Sequence, residues 1–303
     1  TVAAHEVIVC DDGSTDETWS VAQSAERAGH EVRAIRTAHG GASHARNTGT
    51  SASRGDVVFF AESDCVYDPQ YLERAMSALS AHPAAGAVCL TGAPLMLKST
   101  LATECIDIEN KAQHKLLSEG KIEPFYAWVY RRDVLVKLGG FDERLFQAED
   151  KDLFRRLKAS GFEVQWVPGI HWRHKRDQTL LQLARKWFER GRSRLLYSLK
   201  HRMLGELAKN MIPAASVAFA LVALAVSPLA GALLLAGILG TFVVFSMRTV
   251  RLTWSLVSRK RFFAGYPIFI LARNLSTGLG YWRGLFSIAW RKLRGRETDW
   301  STV

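Results

Sequence analysis

Cysteine is scarce in this chain of 303 residues, which holds four, and no two of them have the CxxC spacing. This scarcity argues against a disulfide framework or a Cys-rich metal site, so we expect reduced thiols in a cytosolic compartment. Internal repeats and low-complexity tracts are also absent. The chain opens on TVAAHEVIVC with no signal peptide and no initiator Met. We expect that an upstream strand and helix are missing.

Acidic residues are rare in the C-terminal third of the chain. Residues 186–303 hold 18 Lys and Arg against 4 Asp and Glu, and the rest of the chain holds 22 against 25. A basic half points to nucleic acid or to an anionic membrane surface. Here the basic residues stand among Leu, Phe and Trp beside long apolar runs. We therefore expect a membrane as the partner and no nucleic acid.

One apolar run, residues 211–247, is broken only at Ser227-Pro228. It is too long for one span of about 20 residues and short for two. We predict a tight helical hairpin with the break as its turn, and a buried core hairpin is the alternative. Basic flanks on both sides indicate that both ends lie in the cytosol. Residues 262–290 are apolar but carry charges such as Arg273, which predicts an in-plane or re-entrant amphipathic segment.

The N-terminal part alternates between strand and helix patterns. HEVIVC and DVVFFAES are typical of buried strands, and EDKDLFRRLKASGF is typical of a helix that opens with acids. This alternation predicts an α/β fold with a doubly wound, mostly parallel sheet. We assign this domain to residues 1–195 and a basic, helical, membrane-anchoring region to residues 196–303.

Acidic side chains follow two of the predicted strands, Asp11 and Asp12 after the first and Glu62 and Asp64 after another. Ligands of open parallel sheets bind beyond the carboxyl ends of the strands. Carboxylates suit Mg²⁺ or Mn²⁺, which bridge diphosphates. The first cluster is thus a candidate site for a base and ribose, and the second for a metal. Solvated turns and helix caps are the alternative, because residues such as Asp16 are good N-caps.

Four motifs occur in a fixed order: VIVCDDGSTDET, GGASHARNTG, FFAESD and GGFDERLFQAEDKDLFRRL. Together they resemble the family 2 inverting glycosyltransferases of the GT-A fold, over roughly residues 5–195. The resemblance implies a nucleotide-diphospho-sugar transferase-like fold, a nucleotide-sugar donor and a divalent metal. Members usually begin with a strand and an apolar-Pro-x-Tyr-Asn turn. That piece is absent here, so the chain resembles an N-terminally truncated member.

The resemblance also implies roles for individual residues. Asp11 and Asp12 would contact the base and ribose. The rest of the implied nucleotide-sugar site is Gly13, Ser14, Asp16, Arg46, Asn47 and Ser63. Asp64 would be the last acid of the family's Asp-x-Asp metal motif, in which Glu62 replaces the first Asp. The Arg-Asn pair of HARNTG has an alternative role, which is to pin its own turn.

Inverting transfer needs one base, which takes the proton of the acceptor hydroxyl as its oxygen attacks the anomeric carbon. Glu149-Asp150 resembles the family's catalytic Glu-Asp pair, with Asp150 as the base. The alternative is that these acids only complement a helix dipole. In some related transferases a His after the next strand completes the metal site. That implies His171, ahead of His174, as a metal ligand, with packing beside Trp172 as the alternative.

The resulting hypothesis is a glycosyltransferase at the cell membrane, with its catalytic domain on the cytoplasmic face. Its acceptor would be a lipid-linked (polyprenyl) or polysaccharide molecule, since basic residues attract the anionic polyprenyl phosphate. A catalytically impaired membrane scaffold and a sugar nucleotidyltransferase are the alternatives. The segment from Gln182 to Trp187 resembles the Gln-x-x-Arg-Trp motif of processive synthases with its Trp one place late. It predicts an amphipathic helix at the bilayer surface.

Overall fold

The computed structural model describes residues 2–28, 31–91, 95–96, 100–119, 121–122, 127–168, 172–174, 179–255 and 263–294. Its contacts divide the chain into two compact units. Residues 1–92 and 117–173 form the first unit, and residues 93–116 and 174–303 form the second. This division differs from the predicted boundary at residue 195.

Nineteen helices and strands occur in the described part of the chain. In order they are β1 (Val7–Asp11), α1 (Thr18–Arg27), β2 (Val32–Arg36), α2 (Ala42–Ala52), β3 (Val57–Phe59), β4 (Cys65–Tyr67), α3 (Tyr71–Ala81), β5 (Ala85–Thr91), β6 (Leu95–Met96), α4 (Leu101–Ser118), β7 (Val129–Arg131), α5 (Arg132–Lys137), α6 (Glu149–Ala159), β8 (Glu163–Pro168), β9 (Trp172–His174), α7 (Leu180–Lys200), α8 (Leu204–Val226), α9 (Pro228–Thr253) and α10 (Tyr266–Leu293).

Four strands of the first unit form a mixed sheet in the order β3-β7-β5-β8. Strand β7 runs antiparallel to both of its neighbours, whereas β5 and β8 are parallel. Strands β1 and β2 form a parallel pair with Val7 opposite Val32. The predicted α/β class is confirmed, with β7 as an antiparallel strand among parallel ones.

The central strands bury a core on each face of the sheet, because successive side chains of a strand point to opposite faces. Val88 and Val129 pack in a core with Leu79 of α3. Their neighbours in the chain, Ala87 and Tyr130, pack in the core that includes α5 and α6. Helices therefore cover both faces of this sheet, which is the doubly wound arrangement.

A shared apolar core joins the helices of the second unit. It includes Cys105 and Ile108 of α4, Trp187 of α7 and Phe269 of α10. The rings of Trp187 and Phe269 meet edge to face at 5.0 Å. Residues of α4 and α7 thus belong with the C-terminal helices, and the predicted boundary at residue 195 falls inside α7. The Trp of the predicted surface helix is buried.

Helices α8 and α9 meet at Ser227, where the sequence predicts a turn. Ser227 is extended, and Pro228 occupies the first turn of α9, where its missing N–H costs no hydrogen bond. The helices reach 23 and 26 residues because both extend beyond the apolar run. By length and composition, both could cross a membrane. Residues 266–290 of the predicted amphipathic segment lie within α10, a continuous helix of 28 residues.

Candidate active site

The carboxylate of Asp12, which follows β1, holds the start of α2. Its Oδ1 accepts the backbone N–H of Gly40 at 2.8 Å, and its Oδ2 accepts that of Gly41 at 2.7 Å. Nδ1 of His39 lies 3.0 Å from Oδ2. Burial raises the pKa of Asp12, but the two backbone donors and His39 outweigh burial and bring the pKa below its ordinary value of 3.8. Asp12 is therefore ionised at neutral pH.

The other residues of the acidic segment shape their own turn. Asp11 is buried, and its Oδ1 accepts the backbone N–H of Ser14 at 3.1 Å across Gly13. Nε of Arg36 lies 3.2 Å from the second oxygen of Asp11. Asp16 is exposed and accepts the backbone N–H of the first residue of α1 at 3.0 Å. Asp11 thus shapes a buried turn and Asp16 contacts the start of α1, whose N-cap residue is Glu17. The binding roles predicted for both residues stay predictions.

Arg46 crosses from α2 to the start of α6. Its Nη1 donates to Oε1 of Glu149 at 2.7 Å, although the two residues are 103 positions apart. The guanidinium carbon lies 5.3 Å from the ring centres of both Trp128 and Phe141. Cation–π contacts of this kind stabilise a charge that has left water. Arg46 therefore links α2 to the segment that bears the predicted base.

Asn47 ties α2 to the loop before α6. Its amide donates to the carbonyl of Phe141 at 2.9 Å and to the carboxylate of Glu143 at 2.8 Å, and it accepts the N–H of Phe141 at 2.8 Å. Gly140, the residue before Phe141, has a φ of 67°, in the left-handed region. Asn47 therefore binds a distant loop and not its own turn, and the nucleotide-binding role of the Arg-Asn pair stays a prediction.

Glu149 and Asp150 open α6, directly after Ala148 in the left-handed conformation. Burial raises the pKa of Glu149, the neighbouring Asp150 raises it further, and Arg46 opposes both. Oδ1 of Asp150 accepts the backbone N–H of Lys151 at 2.7 Å. Within the described residues no side chain is recorded as a donor to Asp150, which suits a group that must accept a proton.

The second acidic cluster forms a compact set of possible metal ligands. One ligand atom each from Glu62, Asp64 and Cys65 lies within 4.8 Å of the others. Glu62 is half-buried, whereas Ser63 and Asp64 are exposed. Burial, with the two neighbouring carboxylates, raises the pKa of the Cys65 thiol to about 12. The donor set fits a divalent ion through its two carboxylates, and Cys65 is a neighbour that the sequence analysis missed.

Contacts within the first unit connect the strand before Glu62 to the surroundings of Arg46. The N–H of Phe60 donates to the carbonyl of Trp128 at 2.9 Å, and the rings of Phe60 and Phe141 lie 5.1 Å apart. Sequence analysis missed both aromatic neighbours of Arg46, although Trp128 stands in the FYAWVY strand pattern. The predicted ligand His171 lies outside the described residues.

A comparison with protein families gives a match over the N-terminal part of the chain. Residues 2–139 match the family model "Glycosyl transferase family 2". This part of the chain is therefore similar to the family 2 glycosyltransferases. The predicted site residues of the first two acidic clusters, with Arg46 and Asn47, lie inside the matched region, and Glu149 and Asp150 follow it.

Several curated glycosyltransferases are similar to the chain over most of its length. "Probable glycosyltransferase YdaM" of Bacillus subtilis is 25% identical in an alignment of 229 residues. The match covers 64% of this chain and 53% of that protein. "Glycosyltransferase AglE" of Haloferax volcanii is 25% identical over 63% of each chain. "O-antigen chain rhamnosyltransferase WbaN" of Salmonella anatum is 25% identical over 61% of each chain. The chain thus spans between half and two thirds of the length of these relatives.

Among solved structures, the mannosyltransferase PcManGT from Pyrobaculum calidifontis, in complex with GDP-Man and Mn²⁺, resembles this chain in fold. The TM-score is 0.53 at 16% sequence identity, and the match covers 93% of this chain and 78% of that chain. Together with the family match, this likeness supports a GT-A-like fold for the N-terminal part of the chain, followed by a helical region.

Proposed function

We propose that this protein transfers a sugar from a nucleotide-sugar to a lipid-linked or polysaccharide acceptor, with inversion at the anomeric carbon. One observation carries the proposal most directly. Helix α2 begins at the carboxylate of Asp12 and reaches the start of α6, next to Asp150, through Arg46. A candidate donor-binding residue and a candidate base therefore share one helix as their support.

The donor would bind at the acidic strand ends. Asp12 is ionised and offers acceptors to ribose hydroxyls, and Asp11 shapes the adjoining turn with Ser14. Glu62 and Asp64 would hold Mg²⁺ or Mn²⁺ near the diphosphate. PcManGT is described in complex with a nucleotide-sugar, GDP-Man, and with Mn²⁺. Such an ion would supply charge stabilisation for the leaving diphosphate, in place of a protein acid.

Asp150 is proposed as the base. It takes the proton of the acceptor hydroxyl while that oxygen forms the bond to the anomeric carbon, and the bond to the diphosphate oxygen breaks with its electron pair leaving on the nucleotide. It lies in the first turn of α6, where the helix dipole attracts negative charge. Displacement from the opposite side inverts the anomeric carbon.

Features of the second unit support the proposed acceptor and location. Helices α8 and α9 are each long and apolar enough to span a bilayer, and basic residues lie near both ends of the pair. Basic flanks at both ends favour the cytoplasmic face of the cell membrane for the catalytic domain. An anionic polyprenyl-linked acceptor in that membrane, or a growing polysaccharide, suits these features, and the relative WbaN is named an O-antigen chain rhamnosyltransferase.

The test is turnover by the purified full-length protein in detergent. We expect release of nucleoside diphosphate from one member of a panel of nucleotide-sugars, with Mg²⁺ or Mn²⁺ and a polyprenyl-phosphate or oligosaccharide acceptor. Chelation of the metal by EDTA should stop the release. Asp150→Asn should lower kcat by at least about 10³-fold while nucleotide binding by calorimetry stays within about threefold.

Asp133 provides the matched control, since it is also a carboxylate in the first turn of a helix, α5. Asp133→Asn should leave turnover unchanged. Nucleotide binding without turnover for any donor would instead favour a membrane scaffold. Synthesis of a nucleotide-sugar from a nucleoside triphosphate and a sugar phosphate would favour a nucleotidyltransferase. Full activity of Asp150→Asn would remove Asp150 from the proposed role.

A further inference from the structure

The contact between Arg46 and Glu149 is largely withdrawn from water. The two side chains are 18% and 13% exposed, and the donor and acceptor are 2.7 Å apart. Trp128 and Phe141 lie 5.3 Å from the guanidinium carbon. A partly buried ion pair of this kind is sensitive to the loss of one partner, because the remaining charge is left desolvated.

Glu149 precedes the proposed base in the same turn of α6. The charges that act most on Glu149 are Asp150 on its own helix and Arg46 on α2. Burial and Asp150 favour a protonated Glu149, whereas Arg46 favours the carboxylate. Without Arg46, an ionised Glu149 would be both desolvated and next to Asp150, and either effect would displace the start of α6.

Helix α2 is itself held at two further points. Asp12 binds the backbone at its start, and Asn47 binds the loop before α6 through the N–H and the carbonyl of Phe141. The helix therefore acts as a rigid element between the first acidic cluster and the start of α6. Of the contacts that α2 makes, the one between Arg46 and Glu149 lies nearest to Asp150 in the sequence.

We propose that Arg46 and Glu149 are positioning residues, which as a pair fix Asp150 relative to α2 and do not themselves touch the donor or the acceptor. This inference rests on the proposed function, since it needs Asp150 as the base. It differs from the role that the family resemblance implies for Arg46 in nucleotide binding. It also gives Glu149 a role distinct from that of Asp150.

The first test is the division of the effect between kcat and the donor KM. A displacement of about 1 Å in a reacting group costs about 10²-fold in rate. We expect Arg46→Gln to lower kcat by about that factor with less than a threefold change in donor KM. Arg46→Lys keeps the charge but loses the planar group that lies against Trp128 and Phe141, so we expect only partial recovery of kcat, to within about tenfold of wild type.

The second test is the pH dependence of the loss. In Arg46→Gln, Glu149 loses the group that favours its charge, so it should hold a proton at low pH and ionise as the pH rises. The ratio of mutant to wild-type kcat should therefore fall with rising pH. In the double variant Arg46→Gln/Glu149→Gln no carboxylate is left to ionise. Its kcat should exceed that of Arg46→Gln at pH 8, with a pH-independent ratio to wild type.

Arg144 provides the matched control, because it pairs with Asp142 at the protein surface at 2.8 Å. Arg144→Gln should leave kcat, KM and the pH profile unchanged. A rise of more than tenfold in donor KM for Arg46→Gln, with kcat intact, would overturn the proposal and assign Arg46 to the nucleotide. Strictly additive losses in the double variant would also overturn it.

Two further outcomes separate the inference from the function on which it rests. Absence of turnover by the wild-type protein with every donor would refute the proposed function and the positioning role together. If the wild-type protein turns over and the Arg46 variants keep its kcat, the positioning role alone would be refuted. If Arg46→Gln does not fold, Glu149→Gln provides the same test: kcat should fall about tenfold at constant donor KM, and a rise in KM instead would overturn the proposal.

Discussion

Two adjacent glycines before Phe141 allow the pinning of that loop by Asn47 to be measured. Gly139 and Gly140 both adopt positive φ, 76° and 67°. A Cβ atom added to Gly139 would meet nothing within 4 Å, whereas one added to Gly140 would lie 2.5 Å from Oδ1 of Asn47. The two alanine variants thus share backbone strain but differ in this contact.

The size of the difference follows from the hydrogen bonds of Asn47. Left-handed backbone costs an alanine about 1–2 kcal/mol at either position. A Cβ at Gly140 would also displace an amide that makes three hydrogen bonds, to Phe141 and Glu143. At about 1 kcal/mol each, their loss adds roughly 3 kcal/mol. We expect a loss of about 1–2 kcal/mol for Gly139→Ala and about 4–5 kcal/mol for Gly140→Ala.

Thermal unfolding of the two variants, followed by circular dichroism, measures the difference. For a unit of this size, 1 kcal/mol lowers Tm by about 2–4 °C. Gly139→Ala should lower Tm by roughly 3–6 °C, and Gly140→Ala by at least about 10 °C. Equal shifts would refute the reasoning, since they would mean that Asn47 yields without cost or that its hydrogen bonds contribute nothing to stability.

Two other predictions concern single ionisable groups. The pKa of Asp12 lies below 3.8 in the folded protein, so its contribution to stability is present above that pH and is lost as the pH falls towards the folded value. Asp12→Asn should lower stability at pH 7 by about 1 kcal/mol, because hydrogen bonds to a charged acceptor are stronger than those to a neutral one by roughly that amount. Urea titrations at pH 7 and pH 3 should show a smaller acid-induced loss in the variant than in wild type. Cys65 has a pKa of about 12, and only the thiolate reacts with iodoacetamide. Mass spectrometry should therefore detect slow alkylation of Cys65 at pH 8, with a rate that rises about tenfold per pH unit. Rapid alkylation at pH 7 would contradict this environment of the thiol.

Most secondary structure of the first unit follows from local patterns that the sequence displays. The run VIVCD forms β1, and the acid-rich EDKDLFRRLKA forms α6. The turn before α9 was also predictable, since Ser227-Pro228 interrupts the apolar run and proline starts a helix at no cost. Proline alone does not decide such a break, because Pro213 lies inside α8. Sequence patterns give such elements because periodicity and caps act within a few residues.

The connections between those elements were not predictable in the same way. Arg46 and Glu149 are 103 residues apart, and no local signal distinguishes an arginine that binds a nucleotide from one that binds a carboxylate. Likewise α4 belongs with the second unit because Cys105 and Ile108 share a core with Phe269, a contact over more than 150 positions. Tertiary packing decides such pairings.

The most telling case is Asp12, because its structural and proposed binding roles depend on the same charge. An ionised carboxylate has about four acceptor sites. The backbone N–H groups of Gly40 and Gly41 occupy one on each oxygen, and the side chains of Thr37, at 3.4 Å, and His39, at 3.0 Å, approach the others. Ribose hydroxyls in place of Thr37 and His39 would leave the backbone contacts of α2 intact. The donors that hold the helix also lower the pKa and so keep the carboxylate in the form that a ribose would bind. A sequence motif read as a ligand site can thus also be a helix anchor, and for Asp12 the anchor provides the charge that the ligand site requires.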